Sequence, residues 1–292
     1  MNFLSLKFVK MKNTTRSPKN ITRLMRLVLA SLITLLQLPA LHAANYYWVG
    51  GSGNWSDYAS HWATTSGGNI FHTAIPSLND DVYFDNNSFT AAGQSVTLDN
   101  TLIYCKSMDW TGAQFSPTLY GNPNQLNVYG SLNLIAAMSF DARRVNFRAT
   151  GAGSTITSAG QTLDTLYFEG AGTYSLADPL TVVALNAQNG TFNSSGFTIN
   201  AQQFIIGITG NSVTVDLGTS AVNISNIFKA FDGTIVMNSS QCDLTFTSGA
   251  PFTKYLWSLG NTFHDVHFQS SGEVIGFINC NNLTADGSFY IN

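Results

Sequence analysis

Two stretches of this chain repeat one pattern. Ser158–Gly172 reads SAGQTLDTLYFEGAG and Ser258–Gly272 reads SLGNTFHDVHFQSSG, an ungapped offset of 100 residues. Ser, Gly, Thr, Phe and Gly coincide at 158, 160, 162, 168 and 172, while Leu163 answers Phe263 and Leu166 answers Val266. The likeness extends upstream, where Val145–Phe147 answers Leu244–Phe246. It also extends downstream, where Leu185, Gly190 and Phe192 answer Leu283, Gly287 and Phe289 with one residue lost. Such a repeat restricts the fold to architectures that stack or string together one unit. The unit begins near Leu132 and again near Ile235, and the second copy is just over half complete at Asn292. A stack normally ends in a polar cap, and the terminal SFYIN is not one. The expectation is therefore a piece of a longer protein.

Within each copy the apolar pattern has period two. Leu126–Val128, Val145–Phe147, Leu166–Phe168, Leu180–Val182, Phe197–Ile199, Phe204–Ile206, Val213–Val215, Val222–Ile224 and Leu244–Phe246 each make one inward–outward–inward step, the mark of a strand. Gly, Asn, Ser and Asp separate them as turns require. Short strands with varying turn lengths predict an all-β chain, a parallel β-solenoid with coils of roughly 20 residues. Tandem β-sandwiches are the rival, since 100 residues also suits a sandwich. The scarcity of hairpin dipeptides, with only Asn189-Gly190, Asp232-Gly233 and Asp286-Gly287, favours the solenoid.

The first residues differ in kind. Lys7, Lys10, Lys12, Arg16, Lys19, Arg23 and Arg26 precede the apolar run Leu27–Leu38, Pro39 and the small-residue ending Ala40–Ala43, with no acid among them. This order is that of a secretory signal, with Met11 or Met25 as alternative starts. The run is also shorter than the roughly 20 residues a spanning helix needs. The expected organisation is a signal peptide over 1–43, a Trp/Gly-rich capping module over 44–125, one repeat over 126–232 and a second, incomplete one over 233–292. Once the signal is removed, 6 of the 13 bases face all 16 acids. That balance argues against nucleic acid, which needs a basic face. With the one long apolar run in the signal, no membrane span is expected after cleavage. Cys105, Cys242 and Cys280 are an odd number at wide spacing, so they form neither a disulfide framework nor a zinc motif.

The opening module carries Trp48, Trp55 and Trp62 at intervals of seven. A helical heptad is excluded by Gly50, Gly51 and Gly53, each costing roughly 1 kcal/mol. A single strand is excluded because an odd spacing alternates faces. A short strand over Tyr46–Val49 and a compact returning loop remain. Two roles fit: a cap whose rings cover the first open layer, or a carbohydrate platform on Trp48, Trp55 and Trp62.

The residues Tyr47–Gly51, Gly53–Asp57 and His61-Trp62, with Pro76, Asp80–Asp85 and Phe89, resemble the opening module of large repetitive secreted proteins of Bacteroidetes-type bacteria. The segments Gly160–Leu163 and Leu166–Gly172 resemble their internal units. The resemblance implies export, often by type IX secretion, and a surface role in adhesion or as a stalk. It implies no catalytic residues.

Asn79–Asn86 gathers acids, of which Asp81 and Asp85 share a face; a calcium site there is one reading and turn capping is the other. His264 and His267 lie three apart, a poor spacing for shared ligation on a strand. Arg143, Arg144 and Arg148 form the one basic cluster after the signal. With calcium it would suit a β-helix polysaccharide lyase, but Glu169 and Glu273 lie in different repeats and no nucleophile–base pair accompanies them. The expectation is a non-catalytic exported surface protein without a required cofactor. Its partners would be surface glycans or other envelope proteins, and a carbohydrate-binding module is the alternative.

Overall fold

A computed structural model describes residues 43–121, 123–247 and 254–292. The expected signal peptide, but for Ala43, lies outside the described residues. The described chain is a parallel β-solenoid. Its strands form walls of ten, four and thirteen strands, and successive neighbours in a wall are roughly 20 residues apart in sequence, as coils of a stack must be. The sandwich alternative fails on direction: strand after strand pairs in parallel, and among the described residues antiparallel pairing is confined to the opening segment.

The alternation explains the interior. In the thirteen-stranded wall one inward column runs Leu126, Val145, Leu166, Leu185, Phe204, Phe228, Leu256 and Val274, all buried. Each such side chain contributes on the order of 1.5–3 kcal/mol. Rings stack between coils as well: Phe147 on Phe168 at 5.0 Å, and Phe246 on Phe268 at 4.4 Å. One continuous apolar cluster runs from Tyr46 to Val274.

The repeat signature is a corner. Ser158 accepts the Gln161 N–H through its carbonyl at 3.0 Å, and Ser258 accepts that of Asn261 at 3.1 Å. Between them Gly160 and Gly260 take φ of +78° and +79°, the left-handed region that glycine enters without penalty. The buried hydroxyls then clip one coil to the next. Ser158 Oγ donates to the Pro179 carbonyl at 2.8 Å and Ser258 Oγ to that of Phe277 at 2.7 Å. Ser194 and Ser239 make the same kind of bond to Asp216 and Thr262. The closing glycine is needed for close approach: a Cβ on Gly172 would overlap the Gly151 carbonyl oxygen.

Sequence repeat and spatial repeat are out of step by one column of the thirteen-stranded wall. The long strand Ala221–Ala230 branches: its first half pairs with Asp243–Phe246 and its second with Lys254–Trp257. Val145, Leu166 and Leu185 occupy the column described above. Their counterparts Leu244, Val266 and Leu283 stand in the adjacent column, stacked after Leu180, Ile199 and Val222. The same pattern thus builds a coil in either column, because corner and alternation are local.

Candidate functional site

The opening tryptophans are inside. The Asn45–Trp48 strand pairs with Trp62–Ala63, the one antiparallel strand pair among the described residues, and this pair closes the ten-stranded wall. Trp48, Trp55 and Trp62 are 0% exposed. Trp62 is the hub, edge-on to Trp48 at 4.9 Å, to Trp55 at 4.8 Å and to Phe84 at 5.7 Å. Trp48 Nε1 donates to the Gly51 carbonyl at 2.7 Å, and Trp62 Nε1 to that of Trp55 at 2.9 Å. A sugar platform needs an open ring face, and none of the three offers one. They pack as the core of the opening module.

Asp81 and Asp85 are occupied with structural work. Asp81 pairs with Lys106 Nζ at 3.0 Å and accepts the Ser107 N–H at 3.2 Å. Asp85 accepts the Asn87 N–H at 2.8 Å, an Asx turn. Buried Asp80 accepts from the Ala44 and Ser77 N–H groups and from the Ser77 hydroxyl. Neither Asp81 nor Asp85 joins a cluster of three close metal-ligating groups among the described residues. Calcium prefers six to eight oxygens, and this arrangement is not such a cage.

The arginine cluster is different. Strand stacking brings outward side chains of three coils together: Gln125, Arg144 and Thr165 in one row, Asn127, Asn146 and Tyr167 in the next. Arg144 is fixed from three sides. Its Nε donates to Asn146 Oδ1 at 2.6 Å, its Nη2 to Glu169 Oε1 at 2.9 Å, and its guanidinium lies 3.8 Å from the Tyr167 ring centre. Arg148 Nη2 shares Glu169 through Oε2 at 2.6 Å. Behind them buried Asn146 donates to Asn127 Oδ1 at 3.0 Å, and buried Asn127 to the Ile103 carbonyl at 3.1 Å. A groove of about 290 Å³ opens beside this network, lined by Pro123, Gln125, Arg143, Arg144, Thr165 and Tyr167. It presents two guanidinium groups and no carboxylate. Exposed Arg143 forms no ion pair with the described residues.

Comparison with known proteins does not name this arrangement. The chain matches no family model, no curated protein and no solved structure.

One cluster was not visible from the local sequence. His264 Nδ1 lies 2.8 Å from Asp243 Oδ1 and 3.9 Å from Asp265 Oδ2. His267 turns to Asp286 instead, at 3.2 Å, so the two histidines do not act together. Asp243 precedes His264 by a full coil, and the one signal for it is the register of stacked strands. The hydrogen bond to Asp243, then the charge of Asp265, raises the His264 pKa above its ordinary value. Cys105, Cys242 and Cys280 are free. Burial pushes the Cys242 thiol up to about 12, so it packs as a small apolar side chain. No helix among the described residues is long and apolar enough to cross a membrane.

Proposed function

We propose that the chain is a non-catalytic exported protein of the cell surface, a structural shaft or adhesin that contacts glycans or other envelope proteins. The observation that carries this reading is the solenoid itself: a continuous core with a repetitive outer surface. On the ten-stranded wall Asp81, Ser107, Ser131, Thr155, Ser175, Asn193, Asp216 and Asn238 follow one another in register. Stacked about 4.8 Å apart, such short polar groups make a regular wall suited to many weak contacts. The likeness of the opening module to secreted repetitive proteins and the basic–apolar–small order of residues 1–43 support export. A carbohydrate-binding role would have to use a surface other than the buried tryptophans.

Protease treatment of intact cells of the native host tests this reading. The expected result is loss of the protein while a cytoplasmic marker persists. Protection in intact cells together with absence from the medium would overturn it.

A further inference from the structure

We propose that the Arg143–Arg144 groove binds an acidic polysaccharide through its carboxylate or sulfate groups. This names a ligand chemistry for the surface role above and rests on that reading for its biological meaning. The binding itself is a property of the chain.

Charge is the first argument. From residue 44 onward the chain has six basic side chains against 16 acidic ones, and Arg143, Arg144 and Arg148 are three of the six. Half the positive charge is gathered on one wall of an acidic molecule. Glu169 answers Arg144 and Arg148 together, which leaves Arg143 as the uncompensated cation of the lining. Geometry is the second. A guanidinium recognises planar anions through paired N–H groups, and its usual cost is lost side-chain freedom. Here Asn146, Glu169 and Tyr167 already hold Arg144 in place, so less freedom remains to be lost on binding. Gln125 and Thr165 add neutral hydrogen-bonding groups for hydroxyls beside the cations, and Pro123 adds an apolar contact.

The second repeat supplies an internal control. The positions answering Arg144, Arg148, Thr165, Tyr167 and Glu169 are Asp243, Thr247, Asp265, His267 and Gln269. The same coil folds there with the opposite charge, around His264. The basic groove is thus not required to make a coil. A nucleic-acid strand fits less well, because its closely spaced phosphates call for a long basic stripe, and this groove is short.

The test uses the chain as exported, without its basic leader, and affinity electrophoresis in gels containing polygalacturonate, dextran sulfate or unmodified dextran. Retardation by either acidic polymer and not by dextran is expected, and which of the two retards tells carboxylate from sulfate. Arg143→Gln removes a side chain with no ion pair to the described residues, so the fold is kept. It should weaken binding about three- to tenfold. Arg144→Lys keeps the charge but loses the planar fork, and should weaken binding comparably. Lys229→Gln removes one positive charge elsewhere and should leave binding unchanged. No retardation by either polyanion, equal retardation by dextran, or an equal loss with Lys229→Gln would each overturn the proposal. So would tighter binding to single-stranded DNA that Arg143→Gln abolishes. A failure here leaves the protease result on intact cells untouched, and the converse also holds.

Discussion

The two copies of the repeat agree inside and disagree outside. Ser158 with Gly160 and Ser258 with Gly260 turn the same kind of corner, and Phe168 and Phe268 are both buried, although Phe268 stacks in the column of Leu163 and Val182. The outward residues reverse: arginines and a glutamate in the first copy, aspartates and a histidine in the second. Even the column differs, since the second copy's strands stand one column over in the same wall. Corner and core are constrained by the stack, whereas the outer face answers to whatever it touches. The surface residues are therefore where function should be sought.

This contrast can be broken most forcefully in the core. Phe168→Ala and Phe268→Ala should each cost about 3–5 kcal/mol, as buried aromatic truncations do, read from the shift in urea midpoint. Both rings are 0% exposed. A negligible cost at Phe268 would end the equivalence of the copies. The closing glycines sharpen the comparison. Gly172→Ala drives a Cβ into the Gly151 and Ala149 backbone, while the overlap at Gly272→Ala falls on the Phe268 ring. The first should cost about 1–3 kcal/mol and exceed the second. A neutral Gly172→Ala would mean the coils are not this close.

Most of the solenoid was legible because its determinants are local. The Leu166–Phe168 alternation decides a strand, and the Ser158–Gly160 pattern decides a corner, wherever they occur. What escaped depends on contacts a coil or more away. The column each later strand joins depends on the branching strand Ala221–Ala230, which no motif announces. The local sequence favours a cap over a platform for Trp48, Trp55 and Trp62 without deciding it, because their burial depends on partners such as Phe84, outside the Trp-rich segment. Arg144 and Arg148 were seen as a cluster. Their anchor Glu169 lies one coil on, 25 residues after Arg144, and was read only as an isolated acid.

The smallest expected effect lies on the second copy's surface. His264 should titrate above an ordinary histidine, about 6.5, and Asp243→Asn should bring it back down, as followed by NMR of the imidazole protons. A raised folded-state pKa means that this pair stabilises fully below the ordinary histidine value. The gain fades as pH rises through the raised one. The group is exposed, so the change in stability should be slight. An unshifted His264 would remove the coupling between coils at that place.

The central claim is that the chain winds in parallel, in-register coils, and cysteine cross-linking tests it most directly. Thr191 and Thr214 are stacked neighbours on one wall, and Val236 is the next in that row. With the three native cysteines replaced by alanine, Thr191→Cys with Thr214→Cys should form a disulfide readily under mild oxidation. Thr191→Cys with Val236→Cys, two coils apart at about twice 4.8 Å, should not, because bridged Cα atoms lie within roughly 7 Å. A linked second pair, or an unlinked first pair in a folded protein, would contradict the solenoid.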